Sequence, residues 1–516
     1  MKIHQFVDYH ARVRASSDCI IYQDTVLSYG DITEQSHRIA AGILARGIQP
    51  GDRIAIMCQN CPDFLTVLLA CSRIGAVLCA VNYRLAPEEI RYVVQDSEAK
   101  LLIVADEELA TLSDAVQQAQ PELNILASHN QSWTDWLSSL SDAGEVDNSS
   151  DSSAALLQLY TSGTTGRPKG VVLSQRNILS LYCMTSASWE VKSGPGGRDL
   201  VSAPNFHIGG AGTLILPVLS GASVVLHKTF DPFKIAEDLE RYKIENTFMV
   251  PAMIMALIHM VPDLRQRDFS HLRQIVYGAS PINSALLQAA MEVFDCNFYQ
   301  VYGMTETCGA VVSLSADDHR RAANDAPELL ASCGRPQAGV DVKVVDRDGN
   351  PLPNGETGEL LIRCDANMME YYNRPDATAE TLAGGWVHTG DSAVIDEDGY
   401  IFLRDRIKDM IISGGENIYP IEIENALSQH PAVADVAVVG IPCENFGETP
   451  LACVVLAEGK QLNEAEMIEF LRNDLAGYKI PRQLKVFAEL PRNPTGKILK
   501  KVLREPYWEN QERAIN

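Results

Sequence analysis

The chain has 516 residues, of which 46% are hydrophobic and 21% are charged, and its net charge is −24. This composition is typical of a folded globular protein and excludes a disordered chain, and the length predicts about three domain-sized units. The negative charge argues against a nucleic-acid partner, because nucleic acids are bound by basic surfaces. A polyanionic ligand must therefore be bound by a local concentration of hydrogen-bond donors and cations.

The sequence carries no targeting or membrane signal that we can identify. Residues 1–8 lack the apolar core of a signal peptide, and the most apolar stretch, 65–81, is interrupted by Arg73 and Gly75. The 12 cysteines are scattered and do not form two close pairs at a spacing typical of zinc sites. We therefore expect a cytoplasmic protein with reduced thiols and without an integral membrane segment.

Short apolar runs alternate with helical patterns over the first 300 residues, which predicts parallel sheets covered by helices on both faces. We expect the Ser- and Asp-rich connector at residues 139–153 to divide two α/β subdomains. The predicted strands are 53–57, 100–104, 201–203, 224–226, 248–250, 274–277 and 298–301, and the predicted helices are 31–47, 62–74, 232–242 and 282–294.

The pattern changes twice in the last third of the chain. From residue 340, turn signals such as Asp348-Gly349 and Asn354-Gly355 predict hairpins and a small β-barrel-like subdomain. Beyond residue 404, a mixture of short helices and strands predicts a small α+β domain. We therefore predict an α/β protein whose large N-terminal domain covers residues 1–404 and whose C-terminal domain covers residues 405–516.

Residues 160–170 form a loop rich in Gly, Ser and Thr between two apolar runs that predict buried strands, 154–159 and 171–173. Its backbone N–H groups, its hydroxyls and one ammonium group form a donor set suited to phosphate oxygens. It differs from the Walker loop, in which Ser or Thr directly follows Gly-Lys, and an ordinary hairpin tip is the alternative. The expected phosphate ligands are Thr161, Ser162, Gly163, Thr164, Thr165, Gly166 and Lys169.

Five segments of the chain occur in the order and spacing typical of the adenylate-forming superfamily: 161–170, 302–306, 386–391, 405–412 and 494–497. On these segments the sequence resembles the acyl-CoA synthetases, or fatty acid–CoA ligases, of that superfamily. The resemblance implies a first half-reaction that joins a carboxylic acid to AMP. It also implies that the small C-terminal domain is mobile and rotates about a hinge near Lys408 before the second half-reaction.

The resemblance implies that ATP binds where the predicted strand 298–301 ends, the edge at which open α/β sheets bind ligands. Tyr302 would stack on adenine, Thr305 would bond the α-phosphate, and Glu306 would bind Mg²⁺, although a lone glutamate is more often solvated. The other implied residues of this pocket are Gly303 and Met304 in the same segment, and Gly278, Ala279 and Ser280 in a second wall.

Three charged residues are assigned by the same resemblance. Asp391 would accept hydrogen bonds from the ribose hydroxyls and Arg406 would bond the ribose, whereas a turn-capping aspartate and a surface ion pair are the simpler interpretations. Lys497 would reach the carboxylate and the α-phosphate, where two anions approach each other and need a positioned cation. A lone lysine near the C-terminus would otherwise be a solvated charge.

The resemblance also implies how the acid and the thiol are bound. His207 would lie beside the substrate carboxylate, although a lone histidine is more often structural, and the glycines near residue 414 would shape the thiol tunnel or form a tight turn. Between residues 205 and 221 there is no acidic residue to hold a substrate ammonium, which favours an uncharged short to medium chain and leaves aromatic acids open. The implied acyl- and CoA-binding residues are His207, Gly209, Gly210, Cys308, Gly414 and Gly415.

We therefore expect an AMP-forming acid–thiol ligase that uses ATP, Mg²⁺ and coenzyme A. A rival function passes the acyl group to the phosphopantetheine of a carrier protein, but enzymes of that kind carry an insertion that we do not find between residues 345 and 404. A catalytically idle binding protein and, more remotely, a luciferase-type oxygenase stay open, because a fold does not determine a function. The acid, the pathway and the oligomeric state, for which a homodimer is one option, are not readable from the sequence.

Overall fold

The computed structural model describes residues 1–127, 132–140, 146, 151–161, 167–279, 282, 284–406, 409–413, 416–443, 446–472, 475, 477, 479–492 and 498–508. These residues form four β-sheets and the helices that pack against them. None of the helices within these ranges is long and apolar enough to cross a membrane.

The N-terminal third of the chain supplies strands to two sheets. In chain order the elements are α1 (Ile3–Arg14), β1 (Asp18–Tyr22), β2 (Thr25–Ser28), α2 (Tyr29–Ala45), β3 (Arg53–Met57), α3 (Pro62–Ile74), β4 (Val77–Val81), α4 (Pro87–Asp96), β5 (Leu101–Val104), α5 (Asp114–Ala119), β6 (Asn124–Leu126), α6 (Trp133–Ser139), β7 (Ala155–Thr161) and β8 (Lys169–Ser174). Six of these strands, β3 to β8, belong to the first sheet, whereas β1 and β2 belong to the second sheet. Helix α3 begins at Pro62, whose fixed φ suits a first helical turn, and ends at Gly75 with φ of 75°.

The second α/β unit follows directly. Its elements are α7 (Gln175–Ser188), β9 (Arg198–Val201), α8 (Ile208–Ser220), β10 (Ser223–Leu226), α9 (Pro232–Arg241), β11 (Asn246–Met249), α10 (Pro251–Met260), β12 (Gln274–Gly278), α11 (Ser284–Phe294), β13 (Asn297–Met304), β14 (Gly309–Leu314), α12 (Ala316–Asn324) and β15 (Arg335–Pro336). The sheet has the order β15-β14-β13-β12-β11-β9-β10-β1-β2, and its strands β9 to β13 are parallel.

The predicted division of the two subdomains at the connector 139–153 is wrong. Strand β7 follows the connector but pairs with β4, in the register Leu78 to Leu157, so both belong to the first sheet. Strand β1, at the start of the chain, instead pairs with β10 in the second sheet. An apolar pattern identifies a strand but not its partner, and the two sheets therefore exchange segments that are distant in sequence.

The small sheet predicted after residue 340 is confirmed. Its region contains β16 (Asp341–Val345), β17 (Gly358–Arg363), β18 (Glu370–Tyr371), α13 (Pro375–Thr381), β19 (Val387–Ile395) and β20 (Ile401–Arg406). The antiparallel order is β16-β17-β19-β20, whereas β18 leaves this unit and extends the first sheet, whose order is β18-β8-β7-β4-β3-β5-β6. The first sheet is thus completed by a segment from the third unit.

The described residues of the last unit form a five-stranded sheet with three helices. Its elements are β21 (Ile411–Ser413), β22 (Glu416–Ile418), α14 (Pro420–Leu427), β23 (Val433–Cys443), β24 (Gly447–Leu456), α15 (Glu464–Leu471), β25 (Gln483–Phe487) and α16 (Lys500–Trp508). Strand β25 runs parallel to β24, whereas β21 and β23 are antiparallel to it. The domain boundary at residues 404 and 405 and the mobility of this unit stay predictions, and the hinge residue Lys408 lies outside the described residues.

Candidate active site

The carboxyl end of β13, where the sequence predicted a nucleotide site, carries the exposed Gly303. The strand ends at Met304, and Thr305–Thr307 forms one 3₁₀ turn directly after it. A Cβ atom at the exposed Gly303 would lie 1.7 Å from the carbonyl oxygen of Gly309. Only glycine at this position therefore allows the backbones of β13 and β14 to approach so closely.

The neighbouring strand β12 ends beside it. A Cβ atom at Gly278 would lie 2.3 Å from the carbonyl oxygen of Val301, so this glycine is also required by close backbone packing. Ala279 follows with φ of 67°, in the left-handed region, which turns the chain away from the sheet. The segment predicted to form the second wall of an adenine pocket thus lies at the same sheet edge, and Ser280 lies outside the described residues.

Glu306 is buried rather than solvated, with 6% of its surface exposed. The phenolic hydroxyl of Tyr371 donates a 2.6 Å hydrogen bond to its Oε1 atom, and the backbone N–H of Met368 donates to its carbonyl oxygen. The ammonium of Lys169 lies 4.8 Å from the centre of the Tyr371 ring. Lys169 of the predicted phosphate loop and Glu306 after β13 therefore contact the same side chain, that of Tyr371.

The donor set around Glu306 fits a magnesium ion that arrives with phosphate oxygens. Among the described residues there is no cluster of three or more His, Cys, Asp or Glu side chains that could hold a metal by themselves. Mg²⁺ is usually held by one or two carboxylates, by phosphates and by waters, rather than by a cage of protein ligands. Tyr371 bonds Oε1, and no hydrogen bond to the second carboxylate oxygen is found among the described residues, so that oxygen could bind such an ion.

Tyr302, near the end of β13, contacts Asp391 of β19. The Tyr302 hydroxyl donates a 2.7 Å hydrogen bond to Asp391 Oδ2. Burial, and the adjacent Asp391 carboxylate, raise the pKa of Tyr302, so its hydroxyl stays protonated and donates over the physiological pH range. The ring predicted to stack on adenine and the carboxylate predicted to bind ribose are thus joined directly.

The structure corrects the local conformation expected at Asp391. The residue follows Gly390, whose φ is 68°, but both lie inside β19 rather than in a turn. The pairing of β17 with β19 shifts register here, which identifies a bulge that re-aims the side chain. Arg406 is the register partner of Asp391 on β20, although its side chain is not among the described ones.

The ends of the predicted phosphate loop are held by α4. Thr161 and Lys169 are register partners that close the β7–β8 hairpin, which confirms the two strands predicted there. The Tyr92 hydroxyl donates to the carbonyl oxygen of Pro168 at 3.1 Å, and the Tyr160 hydroxyl donates to Asp96 Oδ2 at 2.9 Å. Tyr92 and Asp96 therefore contact opposite stems of the hairpin from successive turns of one helix.

Arg374 completes this support. Its guanidinium forms an ion pair with Asp96 and donates a 3.2 Å hydrogen bond to the Tyr92 hydroxyl. Sequence reasoning missed these residues, because only the spacing of Tyr92 and Asp96 on one helical face could have suggested a shared role.

His207 lies directly before α8 with an unused nitrogen. Its Nε2 atom is buried and has no hydrogen-bond partner among the described residues, and the same holds for both amide atoms of Asn205. Burial, with a smaller contribution from the Arg84 charge, lowers the pKa of His207 to about 4. The imidazole is therefore neutral at physiological pH, and its buried nitrogen is available to a ligand.

The glycines after His207 differ in what surrounds them. A Cβ atom at Gly210 would lie 2.1 Å from the carbonyl oxygen of Pro204, so Gly210 is explained by packing at the start of α8. A Cβ atom at Gly209 would touch the Phe248 ring at 3.5 Å, whereas one at Gly212 would meet nothing within 4 Å. Open space is thus found beside Gly212.

Apolar side chains lie close to Ile208, at the start of α8. A Cβ atom at Gly309, whose φ is 117°, would lie 3.5 Å from both Ile208 and Leu181. Cys308 itself is fully buried in the main hydrophobic core, and burial raises the pKa of its thiol. The remaining residues predicted for the site lie outside the described residues: Ser162, Gly163, Thr164, Thr165, Gly166, Gly414, Gly415 and Lys497.

The chain belongs to the AMP-binding enzyme family, whose main domain matches residues 7–372 and whose C-terminal domain matches residues 422–497. The resemblance inferred from five segments is confirmed, and the protein is an ATP-using, AMP-forming acid–thiol ligase.

Three known proteins illustrate the range of its relatives. It is 37% identical to the fatty acid–acyl-carrier-protein ligase ScoC of Streptomyces coeruleorubidus, over 99% of this chain and 98% of that protein. It is 37% identical to feruloyl-CoA synthase of Amycolatopsis sp, over 96% and 97%. Its structure is similar to that of o-succinylbenzoate coenzyme A synthetase from Bacillus subtilis in complex with ATP and magnesium ion, with a TM-score of 0.85, 29% identity and coverage of 96% and 98%.

Proposed function

We propose that the protein is a Mg²⁺- and ATP-dependent acyl-CoA synthetase. It joins a carboxylic acid with an uncharged tail to AMP, with release of pyrophosphate, and then transfers the acyl group to coenzyme A. The observation that carries the proposal is the presence of two groups of contacts at the end of β13: Tyr302 bonds Asp391, and Tyr371 contacts both Glu306 and Lys169.

We assign different parts of ATP to these two groups of residues. Tyr302 and Asp391 bind the adenosine, by its base and its ribose, whereas Lys169 and the donors of the hairpin bind the β- and γ-phosphates that leave as pyrophosphate. Glu306 would hold Mg²⁺, which would neutralise part of the phosphate charge when bound. Thr305 and Lys497 act at the α-phosphate, where the substrate carboxylate attacks.

His207 receives the acid. Its neutral imidazole and unpartnered Nε2 suit one oxygen of a carboxylate, because no competing protein acceptor occupies that nitrogen among the described residues. The half-buried face of Ile208 and Gly212, with Leu181 and Gly309 beside it, suits an apolar tail. We assign short- to medium-chain acids to this site, and aromatic acids are the nearest competing class.

The acceptor of the acyl group has two candidates. The connections between β16 and β20 contain no long extra segment, which favours free coenzyme A over an enzyme restricted to a carrier protein. The similarity to ScoC, whose name specifies an acyl-carrier-protein, favours the carrier. We commit to coenzyme A and treat the carrier protein as the rival.

The test is an incubation with ATP, Mg²⁺ and a panel of straight-chain and aromatic acids. Each acid is tested with coenzyme A, with a phosphopantetheinylated carrier protein, or with neither, and AMP, pyrophosphate and thioester are measured by mass spectrometry. In the reactions that contain coenzyme A and no carrier protein, we expect acyl-CoA and AMP to form in equal amounts. AMP turnover that requires the carrier protein would reject the coenzyme A assignment, and no acyl-AMP with any acid would reject the proposed substrate class.

A further inference from the structure

We propose that Tyr371 is a positioning residue that keeps Glu306 and Lys169 apart, so that each stays available to the metal–phosphate end of ATP. This inference rests on the proposed function. Tyr371 is 6% exposed and lies between two groups of opposite charge that belong to different elements, the turn after β13 and the start of β8.

Tyr371 makes two contacts of different chemistry, one through its hydroxyl and one through its ring. At its edge, the hydroxyl donates a 2.6 Å hydrogen bond to Glu306 Oε1. On its ring face, the ammonium of Lys169 lies 4.8 Å from the centroid, within the range of a cation–π contact. One side chain thereby contacts both charges, and no ion pair joins Lys169 to Glu306 in the part of the chain that the structure describes.

A direct ion pair between Lys169 and Glu306 would compete with ligand binding. A buried carboxylate that is paired with an ammonium offers less negative charge to a metal, and the paired ammonium offers fewer donors to phosphate. With Tyr371 between them, the second oxygen of Glu306 and the N–H groups of Lys169 are not used in an ion pair with each other. The aromatic face holds the ammonium without consuming a hydrogen-bond donor in an ion pair.

The backbone fixes this arrangement. Tyr371 pairs with Val171 across β18 and β8, and the N–H of Tyr372 donates a 2.8 Å hydrogen bond to the carbonyl oxygen of Gly170. Strand β18 is therefore anchored to the hairpin that carries Lys169. A change in the hairpin would move Tyr371 and, through its hydroxyl, the carboxylate of Glu306.

The adjacent Tyr372 supplies a matched control. Successive side chains of a strand point to opposite faces, and the Tyr372 hydroxyl donates a 2.8 Å hydrogen bond to Glu98 instead. The guanidinium of Arg53 lies 3.9 Å from the Tyr372 ring. Tyr372 thus has the same chemistry, a carboxylate at its hydroxyl and a cation on its ring, but it contacts neither Glu306 nor Lys169.

The test compares Tyr371→Phe with Tyr372→Phe by isothermal titration calorimetry. The ligands are AMP and the non-hydrolysable analogue α,β-methylene-ATP, the latter with and without Mg²⁺, and no acid is added. We expect Tyr371→Phe to raise the Kd of the Mg²⁺-loaded analogue about ten-fold and to change the Kd of AMP less than two-fold, because AMP lacks the β- and γ-phosphates. Tyr372→Phe should change neither, and thermal unfolding of both variants reports any loss of folding.

Each other outcome overturns the inference. Equal weakening of AMP and the analogue by Tyr371→Phe would assign the residue to the general shape of the pocket, and no weakening of either would make it a buried structural tyrosine. An equal effect of Tyr372→Phe on the analogue would assign the loss to the segment 370–372 as a whole rather than to the contacts of Tyr371. If the wild-type protein binds neither nucleotide, the proposed function itself fails, which this design distinguishes from failure of the Tyr371 role.

Discussion

The hydroxyl of Tyr302 lies 2.7 Å from Asp391 Oδ2, and this hydrogen bond links the end of β13 to the bulge of β19. Two sheets that share no strand are joined by this side-chain contact at the centre of the proposed nucleotide site. The orientation of the ring therefore depends on the carboxylate that we expect to bind ribose.

Replacement of Tyr302 by Phe keeps the ring and removes this bond. A hydrogen bond to a charged group contributes about 1.5–3 kcal/mol, and we expect the Kd values of AMP and of ATP to rise together by about ten-fold or more. Calorimetry with both nucleotides checks the result. Unchanged affinity for AMP would mean that the adenosine does not bind beside Tyr302.

Replacement of Asp96 by Asn tests the support of the phosphate loop. It weakens the ion pair with Arg374 and the hydrogen bond from Tyr160, and Asp96 is only 9% exposed, so we expect the free energy of unfolding to fall by about 1–3 kcal/mol. The KM for ATP should rise because the hairpin stems lose a common partner. Urea unfolding and steady-state kinetics measure both effects.

Glu88→Gln is the matched control for Asp96→Asn. Glu88 lies on the same helix and pairs with Arg91, but its side chain is 73% exposed. An exposed ion pair contributes little, and this variant should be near wild type in stability and in the KM for ATP. A KM effect as large as that of Asp96→Asn would show that the charge of α4, rather than its contacts to the hairpin, is what matters.

His207 gives a pH dependence of stability. Its pKa is about 4 in the folded protein and close to the ordinary 6.5 in the unfolded chain, so between these values the unfolded state binds more protons. The contribution of His207 to stability is thus complete above pH 6.5 and is lost progressively as the pH falls toward 4.

The measurement is urea unfolding of wild type and His207→Asn between about pH 4.5 and 7.5, a window that spans the two pKa values of the histidine. Asp63 and Asp199, whose pKa values burial raises to about 6, act in the opposite direction in both proteins, and the informative quantity is therefore the difference between them. We expect wild type to lose more stability than the variant on acidification. Parallel curves would show that His207 titrates near its ordinary pKa.

Gly212→Leu tests the apolar wall of the acid site. A Cβ atom at this position meets nothing within 4 Å, and leucine is a better helix former than glycine, so α8 should remain folded while the space fills. We expect the preferred acid to shorten and the KM for ATP to stay unchanged, as measured by kcat/KM over a series of acids. Gly194→Ala, at another glycine with open space, should leave the series as in wild type.

Lys497→Ala separates the two half-reactions. The lysine would neutralise charge at the α-phosphate only while the adenylate forms, so its loss should abolish pyrophosphate release and spare thioester formation from supplied acyl-adenylate. Pyrophosphate release and acyl-CoA are measured separately. An equal loss of both activities would contradict this division of labour.

The sequence predicts the elements of this fold better than it predicts their partners. Strands such as β3, β10 and β12 are predicted to within a residue or two, because their apolar runs are bounded by Gly, Pro or charged residues. The predicted strand 201–203 is displaced, since β9 begins at Arg198, and the helix predicted over 31–47 begins at Tyr29 and ends at Ala45. These errors lie at element ends, where the pattern is weakest.

The parts of the site that were missed depend on tertiary pairing. Strand β18 has two residues, too few to show an alternating pattern, and its position beside β8 follows from the sheet rather than from its own sequence. Tyr371 was therefore not identified. Gly390 was interpreted as part of a turn, because glycine indicates a positive φ but does not distinguish a turn from a bulge inside a strand.

The exchange of strands between the two sheets also constrains how the molecule assembles. As the chain leaves the ribosome, β1 is made before any strand of the first sheet. Its parallel partner β10 is made only after α8. The parallel pairing of β1 with β10 cannot form during that interval, and it then requires the closure of a loop of about 200 residues, which costs conformational entropy. The strands synthesised first are thus among the last to reach their final places.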